Sequence, residues 1–276
     1  MCVILGIDIG GSTTKIVGLR EDYSLVATLR VKADDPLTSL YGALGSFTAA
    51  NRLSLGDIGK IVLTGVGASY AEGDIYGVPT VKVEEFTAVG MGGLYLSKLD
   101  RSVVVSMGTG TAFVWAERGG EFRHLGGSGI GGGTLYGLCS QLCGVRQFSQ
   151  IRKLAHDGDL NLVDLTVGDI SRGGYSTLPS DVTAANFGNI SDAAGPADMA
   201  LGVINMIFQT VGTTAVLACQ SCRCDTVVLT GYMTTLEQAR PCFDRFAPLG
   251  NIRFIIPENA TYATAIGAAL SSLGPL

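Results

Sequence analysis

Histidine is nearly missing from this chain: His124 and His156 are the only two in 276 residues. With so few imidazoles and no Gly-x-Ser-x-Gly segment, the sequence argues against a Ser-His-Asp hydrolase. None of the six lysines precedes Ser or Thr, so there is no Gly-x-x-x-x-Gly-Lys-Ser/Thr loop and a P-loop kinase is excluded. The protein-kinase signatures are absent as well. Lysine and arginine never form a run, and the net charge is −5. That balance argues against a general nucleic-acid binder and against docking on an anionic membrane. The segment after Met1 lacks a basic n-region and its apolar run is short, so a cytoplasmic chain is expected. No flexible linker or low-complexity stretch interrupts the pattern.

Seven cysteines, an odd number, are expected to be reduced thiols. Cys219, Cys222 and Cys224 lie close together, and Cys139 and Cys143 sit one helical turn apart. Each group stays open as a metal or cluster site beside the plainer reading of buried thiols, although no second Cys-x-x-Cys completes a zinc set. The stretch 201–219 is the one transmembrane candidate. Its Asn205, Gln209, Thr210, Thr213 and Thr214 favour a buried core or interface helix instead.

What the chain has in quantity is apolar residues, at 47%, and glycine, at 39 residues. The apolar run Val3 to Ile7 predicts a buried strand that ends in Asp8, then Gly10, Gly11, Ser12, Thr13, Thr14 and Lys15, after which Ile16-Val17 resumes the pattern. A strand, a Gly-Gly turn and a strand predict a hairpin. Glycines let backbone N–H groups approach a phosphate, and the hydroxyls add donors. Asp8 is suited to Mg²⁺ through water, and Lys15 to a phosphate as a point charge. An ordinary tight hairpin with a solvated lysine fits the same letters. About 100 residues later the arrangement recurs: a strand to Met107, then Gly108, Thr109, Gly110 and Thr111, then a strand through Trp115. Two such hairpins predict two related lobes, each offering a turn to one cleft.

Strands are expected over 3–9, 13–20, 24–32, 60–64, 80–84, 102–107, 111–117, 121–125, 225–230 and 251–256. Helices are expected over 36–53, 87–96, 149–156, 163–171, 198–220, 234–246 and 261–273, with a long polar loop at 172–196. The run Gly126 to Gly133 is expected to open a helix through Cys143. Its Gly-x-Gly-x-x-Gly match does not precede a βαβ unit, so the expected role is an anion site made by free N–H groups at a helix start, with close helix packing as the alternative. Glu84 and Glu85 follow a strand at the expected mouth of the cleft. Phosphoryl transfer to a hydroxyl wants a carboxylate to accept the proton, and Glu85 is the candidate; a solvated acidic pair is the alternative.

Asp8 to Lys15, Val83-Glu-Glu85-Phe, Met107-Gly-Thr-Gly-Thr111 and Gly126 to Gly133 are followed by His156-Asp-Gly-Asp159, Asp164-Leu165 and Asp181-Val-Thr-Ala-Ala-Asn-Phe-Gly188. In this order the segments resemble the type II pantothenate kinases, within the actin-like sugar-kinase and Hsp70 ATPase superfamily. The resemblance implies an α/β fold of two ribonuclease-H-like lobes, residues 1–100 and 101–276, around a nucleotide cleft. It implies ATP and Mg²⁺ as cofactors, pantothenate as acceptor, and a homodimer built on the 198–220 helix. Carried over by motif, Glu85 is the general base and Asp8 the metal-side carboxylate. Asp8, Gly10 to Lys15, Gly108, Thr109, Gly110, Gly132, Gly133, Thr134, Leu135, Tyr136, Phe148, Gly231 and Tyr232 fall on ATP-site positions. Thr183 falls in the pantothenate pocket, and Arg123 and His124 stand at its charged end. His124 departs from the family, which usually has Arg there; Phe148 and Tyr232 depart in smaller ways. Two other classes of the superfamily remain open: an ATPase that activates a 2-hydroxyacyl-CoA dehydratase, and a kinase for another small hydroxyl substrate.

Overall fold

The computed structural model describes residues 2–32, 35–171, 179–246, 248 and 251–274. Two five-stranded sheets carry the architecture. The first contains β1 (Val3–Ile9), β2 (Thr13–Arg20), β3 (Leu25–Lys32), β4 (Ile58–Thr64) and β5 (Thr80–Lys82), ordered β3-β2-β1-β4-β5. The second contains β6 (Arg101–Met107), β7 (Thr111–Glu117), β8 (Phe122–Ser128), β11 (Thr226–Thr230) and β12 (Arg253–Ile255), ordered β8-β7-β6-β11-β12. In both sheets an antiparallel meander of three strands is extended by two parallel strands. The repeat expected from the two Gly/Thr turns is therefore a repeat of the whole sheet.

Helix α1 (Pro36–Asn51) covers the outer face of the first sheet. Proline opens it at a position that needs no N–H, and the Asp35 side chain accepts from Thr38 N at 2.7 Å. Leu40, Leu44 and Phe47 of this helix pack with Leu5, Ile7, Ile9 and Ile61. Each of these large side chains is almost fully buried and contributes roughly 1.5–3 kcal/mol. The second sheet is covered by α3 (Gly132–Leu142), α4 (Phe148–His156) and the long α6 (Pro196–Cys222).

Two helices tie the sheets together. Helix α2 (Glu85–Ser97) follows β5, yet its Val89 and Leu94 pack with Val104, Val114, Ala116 and Val228 of the second sheet. Helix α8 (Ala263–Leu270) ends the chain, yet Ala265, Ile266 and Leu270 pack with Ile4, Val17, Leu19 and Val62 of the first. The two helices cross at Gly92 and Gly267. A Cβ on Gly92 would run into the Ala263 carbonyl, and one on Gly267 into the Ala88 carbonyl. A cut at residue 100 separates the sheets in sequence, but each sheet keeps a helix from across that cut.

Several expected elements differ. The 163–171 helix is instead β9 (Leu165–Thr166), paired with β10 (Thr183–Ala185), followed by the single turn α5 (Val167–Ile170). Thr166 and Asp169 close a capping box that starts the helix only after Thr166. The 234–246 helix is a 3₁₀ turn at Tyr232–Thr235 and then α7 (Ala239–Asp244). Part of the expected loop, including Gly173 and Gly174, lies outside the described residues. Helix α6 is the one described helix with the length and composition to span a membrane, and 61% of its most apolar window is buried inside the protein. Val203, Ile204, Ile207, Phe208, Val211 and Ala215 enter the core of its own lobe. Gly202 faces Val163 and Phe187, and Gly212 faces Phe246, so these small residues serve packing within the chain.

Candidate active site

A cavity of about 510 Å³ opens between the two sheets. Its floor is built by the β1–β2 and β6–β7 turns. Ser12 Oγ and Thr109 Oγ1, one from each turn, lie 3.3 Å apart. Gly10 N donates to Thr13 O at 3.1 Å and Gly108 N to Gly110 O at 2.9 Å, closing the turns. The N–H groups of Gly11, Ser12, Thr109 and Gly110 take no acceptor among the described residues. Four backbone donors and two hydroxyls on one floor suit an anion of several oxygens.

The expected anion site at the start of α3 is different. Gly126 to Ser128 complete β8, and the helix begins only at Gly132. Gly131 N donates to Thr134 Oγ1, Gly132 N to Gly108 O at 2.9 Å and Gly133 N to Thr109 O at 2.8 Å. The last two fasten the helix to the β6–β7 turn, the first caps the helix itself, and none is free for a ligand. Accordingly Gly133, Thr134 and Leu135 do not line the cavity, whereas Gly132 and Tyr136 do. Leu135 is fully buried in the core of the second lobe.

Strand alternation sorts the N-terminal motif. Asp8, Thr13 and Lys15 face the cavity, while Thr14 is fully buried on the opposite face with an unpartnered hydroxyl. Lys15 Nζ donates to Asp8 Oδ2 at 2.8 Å, a pair that is almost wholly buried.

Glu84 and Glu85 stand at the start of α2, which begins two residues earlier than expected. Glu84 is the N-cap: its Oε2 accepts from Thr87 N at 3.0 Å and from Thr87 Oγ1 at 3.2 Å. Glu85 is the first helical residue and lines the cavity. Burial, and then the Asp8 carboxylate, push Glu85 above the usual range, with Lys15 opposing. The two glutamates thus have separate work, one structural and one facing the ligand.

A bulge in β8 decides between Arg123 and His124. Phe113 pairs with Gly126 and Val114 with His124, which leaves Leu125 extra. His124 shares the Val114 face, and its ring stacks on Phe86 with centroids 3.9 Å apart and planes 2° from parallel. It lines the cavity with Glu85. Arg123 pairs with Trp115, faces the other side and does not line the cavity.

Gly231 holds a left-handed φ of 93° and its N–H donates to Ala260 O at 3.0 Å. It does not line the cavity; it turns the chain so that Tyr232 does. Tyr232 packs on Phe148 with centroids 4.4 Å apart, and Phe148 lies 6.5 Å from Tyr136. Burial pushes the Tyr136 phenol up, against the pull of Arg30. Arg30 and Phe86 are lining residues whose role the motifs did not reveal. The signal for Arg30 was the alternation Leu29-Arg30-Val31, in which the apolar pair enters the core and the arginine does not.

Thr183 stands apart from the cavity of its own chain. Its hydroxyl accepts from Gln209 Nε2 at 2.8 Å, on α6. Behind it the buried Asp164 carboxylate accepts from Phe187 N, Asn186 Nδ2 and Asn205 Nδ2, at 2.9, 3.2 and 2.7 Å. Cys139 and Cys219 are core residues, and no cluster of three or more His, Cys, Asp or Glu suited to a metal exists among the described residues.

The Fumble family model matches residues 101–270. This chain belongs to the Fumble family. As a Fumble protein it is 27% identical, over 274 residues, to the type II pantothenate kinase of Staphylococcus aureus (strain USA300), covering 96% of this chain and 97% of that one. Two solved structures share the fold. The activator of the 2-hydroxyisocaproyl-CoA dehydratase from Clostridium difficile with bound ADPNP has a TM-score of 0.72 at 18% identity, covering 98% of this chain and 94% of that one. A ROK family glucokinase from Streptomyces griseus in complex with glucose and AMPPNP has a TM-score of 0.59 at 13% identity, covering 98% of each chain. The Fumble chain therefore has the two-lobed fold of actin-like ATPases and sugar kinases, as expected from its motifs.

Proposed function

We propose that this Fumble protein is a kinase that transfers the γ-phosphoryl group of ATP to the primary hydroxyl of pantothenate, giving 4′-phosphopantothenate. The observation that carries the reading is the meeting of Glu85, the Asp8–Lys15 pair and the two Gly/Thr turns in one cavity. A relative of that activity, matched along nearly the whole chain, supports the choice of acceptor.

In this reading the free N–H groups of the two turns bind phosphate oxygens, and Lys15 adds a point charge. Glu85 accepts the proton of the attacking hydroxyl; burial and the Asp8 charge raise its affinity for protons, as suits a general base. The residues present fit Mg²⁺ of the kind that arrives with a nucleotide. One buried carboxylate, Asp8, is available, and Mg²⁺ commonly keeps several waters and takes its remaining ligands from phosphates. When bound, the ion neutralises charge on the phosphates. His124, braced on Phe86, meets the acceptor beside Glu85.

The proposal includes a homodimer. The solvent face of α6 presents Thr210, Thr213 and Leu217, the last 60% exposed. Thr183 lies against this helix, so a partner subunit packed there brings its acceptor-pocket role to the partner's cavity. An ADP-release assay with pantothenate, pantetheine, glucose and N-acetylmannosamine tests the function. Turnover with pantothenate above the sugars supports it, and ATP hydrolysis indifferent to all four acceptors overturns it.

A further inference from the structure

Arg30 is a cation in the candidate cavity that the phosphoryl-transfer chemistry leaves unused. It sits on β3 directly opposite Lys15 of β2, so both side chains leave the same face of the first sheet. Leu29 and Val31 on either side pack into the opposite core. The guanidinium crosses to the second lobe, where its central carbon lies 3.7 Å from the centroid of the Tyr232 ring. It makes no ion pair among the described residues. The wall it touches is aromatic: Tyr232, then Phe148, then Tyr136. Lys15, by contrast, is paired with Asp8 and has its proposed role at the phosphates.

A planar delocalised cation on an aromatic wall suits a particular kind of ligand. It can stack on a flat ring and donate to ring nitrogens or ribose oxygens, and it is held in place without a carboxylate. The phosphate oxygens have their own donors on the Gly/Thr turns. We propose that Arg30 is the residue through which the first lobe grips the nucleoside end of the bound nucleotide, against the Tyr232–Phe148 wall of the second. This rests on the reading of the cavity as a nucleotide site. It assigns Arg30 to ground-state nucleotide binding across the cleft, apart from the acceptor and apart from the transferring group.

The test is steady-state kinetics and titration calorimetry on wild type, Arg30→Ala and Arg30→Lys, with ATP and with inorganic tripolyphosphate. Arg30→Ala is expected to weaken ATP binding and raise its KM by about 3–30-fold, the worth of a desolvated cation–π contact, with kcat within about twofold. Tripolyphosphate affinity is expected to stay within about twofold. Arg30→Lys keeps the charge but loses the planar face, and is expected to remain weaker than wild type for ATP. Unchanged ATP affinity in Arg30→Ala overturns the assignment, as does a fall in kcat as large as the rise in KM. An equal loss for tripolyphosphate moves the contact to the phosphates and overturns it too. A wild-type protein that binds no ATP removes the nucleotide reading itself, a failure visible before any variant is made.

Discussion

Ser12 Oγ and Thr109 Oγ1 lie 3.3 Å apart, although 97 residues separate them in the chain. Each stands in the turn after the first strand of its own sheet, so their contact is where the two halves of the repeat meet. Asp8, Lys15, Glu85 and His124 all open onto the cavity around that contact.

Glu85→Gln is expected to leave ATP affinity nearly unchanged and to lower kcat by roughly 10²–10⁴-fold, the usual contribution of a general base. Glu84→Gln is expected to retain most turnover, because Glu84 caps α2 and does not line the cavity. Rates and ATP affinities measured on both variants check this. The opposite ranking would give the role to Glu84.

The pH profile carries a sign. A general base works in its deprotonated form, and burial with the Asp8 charge raises the pKa of Glu85 above the ordinary 4.5. Activity is therefore expected to fall as pH drops through a midpoint above 4.5 and to be full on the alkaline side. A kcat/KM profile flat from neutrality down to that ordinary value would contradict the assignment.

His124→Arg is expected to preserve or raise activity on pantothenate, because the position lines the cavity beside Glu85 and a guanidinium can stack on Phe86 as the imidazole does. Arg123→Ala is expected to change kcat/KM by less than about twofold, since its side chain faces away from the cavity. A large loss in Arg123→Ala, or loss of activity in His124→Arg, would mean that a different acceptor is recognised.

Gly267→Ala places a methyl group against the Ala88 carbonyl where α8 crosses α2. Overpacking of this kind costs about 1–3 kcal/mol or more, and at this chain length each kcal/mol moves the melting temperature by roughly 2–4 °C. Thermal unfolding of the variant is the measurement. An unchanged Tm would show that the helix pair is not a fixed joint between the sheets.

Sedimentation is expected to give twice the 28.6 kDa chain mass at micromolar protein, with Leu217→Glu shifting the species toward the monomer. A monomer with full kinase activity would rule out a pocket completed by a second subunit.

The sequence alone determined what local physics controls. Apolar runs broken by Gly/Thr turns gave both meanders, because a buried strand must alternate or run apolar and a turn needs glycine. Pro36 marked the start of α1, and the glycine-hydroxyl turns marked the floor of the cavity. Tertiary structure decided the rest. A glycine run before a helix looks like an anion site in sequence, but its N–H groups are spent on the carbonyls of Gly108 and Thr109, an acceptor set more than 20 residues away. The bulge at Leu125 chose His124 over Arg123, and strand alternation cannot be phased across an extra residue that only the pairing partner reveals. Arg30 reached the site because β3 pairs with β2 in one register and the second lobe supplies the Tyr232 ring, a contact between residues about 200 positions apart. The cores of α2 and α8 likewise lie across the chain from their own sheets, since hydrophobic burial is indifferent to sequence distance.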